Sequence, residues 1–203
     1  MLGCRAAILL FTGVLAAATT QGCLDYDDDD PERWPAKPVS NWDIQDARAF
    51  DEFELYWLGD SYEGLALTSM RTYTDGDMVR HATFAYGEPK YTGDAASGSW
   101  ISPLEIDIQP YCGFSPKEYL SYERFLESEI EQIEVRGVGG YTEVYSENED
   151  FGYLHLWTGS SHVGIDTWKT SFDIEKAARD LIPMSQDTGT SEGAFPPPTS
   201  EQC

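Results

Sequence analysis

Tyr153-Leu154-His155-Leu156-Trp157-Thr158-Gly159-Ser160-Ser161-His162-Val163-Gly164-Ile165-Asp166 decides the fold class of this chain. Two apolar-aromatic runs flank Gly159-Ser160. Glycine at the first central position suits a type II′ hairpin turn, whose twist matches that of the strands it joins. Side chains alternate with period two along a strand. Leu154, Leu156, Val163 and Ile165 therefore share a core face, and His155 and His162 share the other.

Reading outward, Ile174, Ala177, Ala178, Leu181 and Ile182 recur with helical period, which predicts a helix over 173–182 that Pro183 ends. Upstream, 141–145 and 130–136 read as strands around Gly137-Val138-Gly139-Gly140. Ser115-Pro116-Lys117-Glu118 has a capping serine, proline at the first helical position and glutamate at the third, the start of a helix over 116–126. Leu104, Ile106 and Ile108 alternate with Glu105, Asp107 and Gln109, a strand with one dry face. Asp75-Gly76 marks a hairpin between strands 65–73 and 79–86. The stretch 90–99 is rich in small residues and reads as a flexible loop, while 53–58 alternates like a strand. Ser40 is placed as the cap of a helix over 43–50, with Asp43 at its third position. The whole predicts an α+β single domain over 41–184: a mostly antiparallel, twisted sheet of about eight strands with two or three short helices. The tail 185–203 is polar and reads as loose unless Cys203 is bonded.

The N-terminus supplies an address. Arg5 and an apolar run over 6–18 form a signal peptide over 1–22, too short to span a bilayer core that needs ~20 apolar residues. Cleavage before Cys23 would give a diacylated lipoprotein; cleavage after Ala18 would give a soluble secreted protein. Lipidation of Cys23 leaves Cys112 and Cys203 as an even pair, suited to a disulfide, whereas the alternative leaves an odd thiol in an oxidising compartment. Residues 23–40 combine repelling aspartates with prolines and read as an extended acidic tether. The leading expectation is a cell-envelope protein, anchored to the membrane by lipid outside the cytoplasm.

Removing leader and tether leaves about 165 residues, enough for one core. A formal net charge of −23 repels phosphate backbones, so nucleic acid is not an expected partner. Six Trp and twelve Tyr make glycan stacking worth weighing against plain packing.

Phe53-Glu54-Leu55-Tyr56-Trp57-Leu58-Gly59, Gly64-Leu65-Ala66-Leu67-Thr68, Phe84-Ala85-Tyr86-Gly87, Val135-Arg136-Gly137-Val138 and Trp157-Thr158-Gly159 together resemble a group of uncharacterised exported bacterial proteins. That resemblance spans about residues 50–182 and implies no activity. The closing strand-hairpin-helix is similar to the end of small envelope domains that follow a membrane anchor in regulatory proteins, a likeness of fold only.

For chemistry, His155 and His162 lie within bridging reach on one face, with Asp166 further along it, yet two histidines without a fixed third ligand do not define a metal site. No metal and no cofactor are expected. His81, beside Arg80, reads as structural. Gly159-Ser160-Ser161 is a turn and not a nucleophile elbow, Gly137-Val138-Gly139-Gly140 lacks the Lys-Ser/Thr ending of a phosphate loop, and no catalytic residue is assigned. Trp100, Trp157, His155 and His162 are the candidate ligand contacts, with Trp100 and Trp157 the tryptophans expected to be exposed. The expected function is a non-enzymatic surface module that binds an unidentified protein or glycan partner; the alternative is a secreted enzyme of unknown class, such as a hydrolase acting on an envelope or extracellular substrate. Convergent polar groups in one apolar-lined cleft would favour the enzyme, and a convex surface with an aromatic strip the binder.

Overall fold

A computed structural model of the chain describes residues 40–92, 98–111, 128–145, 151–168, 172–185 and 193–199. The signal, the tether, the expected helix at 116–126, Cys23, Cys112 and Cys203 lie outside the described residues.

In chain order the elements are α1 (Ile44–Ala49), β1 (Tyr56–Trp57), β2 (Ser61–Tyr62), β3 (Leu65–Asp75), β4 (Met78–Tyr86), β5 (Lys90–Thr92), β6 (Ser99–Ile101), β7 (Leu104–Pro110), β8 (Ser128–Val135), β9 (Val138–Tyr145), β10 (Gly152–Thr158), β11 (Ser161–Thr167), α2 (Ile174–Asp180) and β12 (Ile182–Pro183). Eight strands form one antiparallel sheet in the order β2-β3-β4-β7-β11-β10-β9-β8. Two meanders thus meet where β7 pairs β11, and β1-β12 and β5-β6 are separate antiparallel ribbons. The protein is a sheet-dominated single domain with two helices among the described residues.

The alternation seen in sequence sets the faces. Phe84, Tyr86, Ile106, Ile108, Leu154, Leu156, Val163 and Ile165 are fully buried on one face. Burying a side chain of this kind contributes about 1.5–3 kcal/mol. Ala177, Ala178 and Leu181 of the closing helix region, with Phe53, Leu55 and Tyr56, cover that face. The helical stripe packs inward as its period requires, but the helix ends at Asp180, and Ile182–Pro183 leaves it to pair with β1.

Turn chemistry holds with small shifts. Thr158 pairs Ser161 around Gly159-Ser160, and Gly159 has φ +55°, as the type II′ reading requires. Val135 pairs Val138 around Arg136-Gly137, both with positive φ, so β9 begins at Val138 and takes in Gly139 and Gly140. Gly140 is needed there, because a Cβ would lie 2.5 Å from the carbonyl oxygen of His155 and from Leu156 Cδ2. The β3–β4 turn is Gly76-Asp77, one residue later than expected, since Asp75 pairs Met78.

Four expectations need correction. Asp43, and not Ser40, caps α1, with a reciprocal capping box to Asp46; the Ser40 hydroxyl instead accepts from the backbone N–H of Met70. In 53–58 only Tyr56 and Trp57 pair, with β12, and the segment is buried on both sides because it lies over the sheet. Residues 90–92 and 99–101 form a β-ribbon. Finally, residues 193–199 are tied down. Phe195 is 4% exposed, stands edge-on to Tyr56 at 5.5 Å and lies under the Arg136 guanidinium at 4.0 Å. The Gly159 N–H donates to Pro196 O at 3.0 Å, the Thr199 N–H donates to Gly159 O at 2.7 Å, and the Phe195 N–H donates to Arg136 O at 2.8 Å. This segment straps together two hairpin turns.

Candidate functional site

The face of the sheet opposite the apolar core carries the polar halves of the same strands. Across one rung lie Thr83, Asp107, Gly164, His155 and Tyr141 from β4, β7, β11, β10 and β9. Across the next lie Glu105, Asp166, Tyr153 and Glu143. Gly164 makes the floor: with no side chain there, a cavity of about 340 Å³ opens between His81, Asp107, Glu143, His155, His162 and Asp166. A Cβ at Gly164 would meet its neighbours only at ordinary contact distance, 3.7 Å or more.

Two coupled groups of side chains line this cavity. In the first, the Gln109 amide donates from Nε2 to His162 Nδ1 at 2.7 Å. That leaves the His162 proton on Nε2, which lies 3.2 Å from His155 Nδ1 and donates to it. His155 then carries its own proton on Nε2. The rings stack at 5.3 Å, and His162 stacks on Trp157 at 4.8 Å. Burial holds both imidazoles neutral, with pKa values lowered to about 3 for His155, where the neighbouring His162 adds to the effect, and about 4 for His162.

The second group is built on Asp107. Burial works against its charge, but the His81 Nε2–H donates to it at 3.0 Å and the Thr83 hydroxyl at 2.6 Å. With the hydrogen bond from Asp166, these hold Asp107 below the usual carboxylate range and His81 above the usual imidazole value. Asp166 goes the other way. Burial first, then the charges of Asp107 and Glu105 and the hydrogen bond to Asp107, push it up to about 8. One carboxyl is thus protonated beside one that is ionised, the expected outcome when like charges share a site.

The sequence candidates divide. His155 and His162 come together in this cavity, as their shared face implied. Trp157 lies beside them but is 2% exposed, edge-on to Tyr141 at 5.7 Å, so it is packed in and not an exposed platform. Trp100 stands apart on β6, half-buried against Tyr91 at 5.5 Å, and lines a second cavity. Asp107, Gln109 and Glu143 are residues that the sequence does not single out, and Asp166 is placed by it only on the same face as the two histidines. Their signal was their alternation with buried residues on β7, β9 and β11, which assigns a face but not a neighbour. His81 pairs with Asp107 at 3.0 Å and so helps to hold that carboxylate.

Among the described residues, no group of three or more His, Cys, Asp or Glu is arranged to hold a metal ion. No helix among them is long and apolar enough to cross a membrane. Comparison with protein-family models, with curated proteins and with solved structures finds no match to this chain.

Proposed function

We propose that the chain is an extracytoplasmic, lipid-anchored binding module of the cell envelope, tethered through Cys23 and an acidic spacer, with its ligand site on the polar face of the sheet. The exported address rests on the leader sequence. The observation that carries the binding role is the cavity over Gly164, where neutral imidazoles and a protonated and an ionised carboxyl converge from separate strands. Such a set offers both donors and acceptors on rigid strands, which suits recognition of a small polar ligand. The same convergence of polar groups also meets part of the criterion for an enzyme cleft.

Two measurements test the reading. Mass spectrometry of the mature protein should find a diacylated Cys23 as first residue; an unmodified Cys23, or a start at Thr19, removes the anchor. Capture of envelope components by the tethered protein should be lost when Gly164→Val fills the cavity floor. Equal capture by that variant, shown to be folded, would move the site elsewhere.

One observation favours a second reading, an extracytoplasmic hydrolase. Asp166 and Asp107 are held in the opposite protonation states that an acid and a base require. Turnover of an envelope polymer that disappears in Asp166→Asn would establish it.

A further inference from the structure

A second cavity, of about 180 Å³, adjoins the first and shares Tyr153 and Asp166 with it. Its walls are aromatic: Trp100, Phe151, Tyr153 and Trp168. Phe151 meets Trp168 edge-on at 4.1 Å and stacks parallel to Tyr153 at 6.2 Å, while Tyr91 meets Trp100 edge-on at 5.5 Å. Asp166 enters from β11, between Glu105 and Tyr153 on its two neighbouring strands. Glu105 is paired with Arg71 at 3.2 Å and Asp107 with His81 at 3.0 Å. The described residues that line the second cavity include the carboxyls of Glu105 and Asp166 and no Lys, Arg or His, and Asp166 carries a proton where a counter-charge could stand.

We propose that this aromatic-walled cavity binds a small organic cation, a protonated amine or quaternary ammonium group, with the Asp166 carboxylate as its counter-charge. The inference rests on the binding-module reading and adds the ligand class. Ring faces attract a cation within about 6 Å of their centroids, and a carboxylate at one end supplies the complement. The chain's net charge of −23 raises the local concentration of cations. A cavity of about 150 Å³ accommodates benzene, so this one, of about 180 Å³, has room for a trimethylammonium head.

Entry of a cation moves a proton. The groups facing Asp166 are Glu105 and Asp107 on β7, Tyr153 on β10 and Glu143 on β9, with Arg71 on β3 and His81 on β4 behind the two β7 carboxylates. Asp166 is mostly protonated at neutral pH. A bound cation favours its ionised form, so the proton passes to bulk water and the charge of the cavity is unchanged.

Calorimetry of the full chain at pH 7 with choline chloride and with putrescine, in buffers of different ionisation enthalpy, tests this. The expected result is saturable binding with release of about one proton per ligand. Asp166→Asn and Trp168→Ala should each weaken binding about tenfold or more. Trp100→Ala, on the separate β5–β6 ribbon, provides a cage variant that leaves the main sheet untouched, with circular dichroism as the check on folding. No heat with either cation, equal binding of the neutral tert-butyl analogue of choline, or unchanged affinity in Asp166→Asn would overturn the proposal. Binding of N-acetylglucosamine instead would remove the cation class and keep the binding-module reading. That reading fails separately, in the capture experiment with Gly164→Val.

Discussion

His155 Nδ1 and His162 Nε2 lie 3.2 Å apart on adjacent antiparallel strands, two half-buried rings joined by one proton. A second proton on either ring would put a donor against a donor and a charge into a half-buried wall. With only three histidines in the chain, each resonance is assignable by single substitution. NMR titration should show His155 and His162 remaining neutral from pH 8 down to at least about pH 5, and His81 titrating above about pH 6.5. An ordinary midpoint near 6.5 for His155 would mean that the wall is wet.

Stability should fall on both sides of the pH range, for different reasons. The histidine pair has depressed folded pKa values, so its contribution is intact above about pH 6.5 and is lost as pH falls toward 3–4. Asp166 is raised, so its contribution is complete below about pH 3.9 and is lost as pH rises through 8. His81 is raised too and acts in the same direction as Asp166 above pH 6.5. Denaturant unfolding should therefore show a lower free energy at pH 8.5 than at pH 6.5, and Asp166→Asn should flatten that fall. An unaltered slope in the variant would contradict the assignment.

The β-face assignments were legible because period two is local: Leu154 and Ile165 announce the core without knowledge of the partner strand. Which strands become neighbours was not legible. The β7–β11 pairing joins residues 104 and 167, and it alone brings Asp107 beside Asp166. Nor does any pattern in 185–203 reveal that Phe195 is buried, since a lone aromatic among prolines has no period. Arg136-Gly137 was readable in principle as a two-residue turn, but the following glycines blurred where the next strand begins.

Two strand glycines should respond oppositely to alanine. Gly140→Ala drives a methyl group into the His155 carbonyl oxygen and Leu156 and should cost about 1–3 kcal/mol or more. Gly164→Ala finds space and should change stability by under ~0.5 kcal/mol. Chemical denaturation of the pair checks both; a larger loss at Gly164 would mean that the cavity floor is already filled.

The Tyr86 hydroxyl, fully buried, accepts the Leu58 N–H at 2.8 Å. Tyr86→Phe removes the acceptor and strands that donor, a loss of about 1–3 kcal/mol. Leu181→Ala, at a site with no exposure, opens a cavity between helix and sheet and should cost about 2–5 kcal/mol. Thermal unfolding distinguishes these losses from the ~0.5 kcal/mol typical of surface changes.

Arg136 sits at φ +51°, a conformation that side chains rarely adopt, yet its guanidinium donates to Leu181 O and Gly193 O, each at 2.7 Å, and covers Phe195. One side chain therefore spans a hairpin turn, the end of a helix and the strap. Those three segments become a single opening unit: when the strap lifts, the Gly159, Phe195 and Thr199 amides lose their acceptors together. Proteolytic nicking or hydrogen exchange at this end of the sheet would then be governed by one shared equilibrium, set by an arginine, while the polar cavity on the opposite face of the sheet stays closed to it.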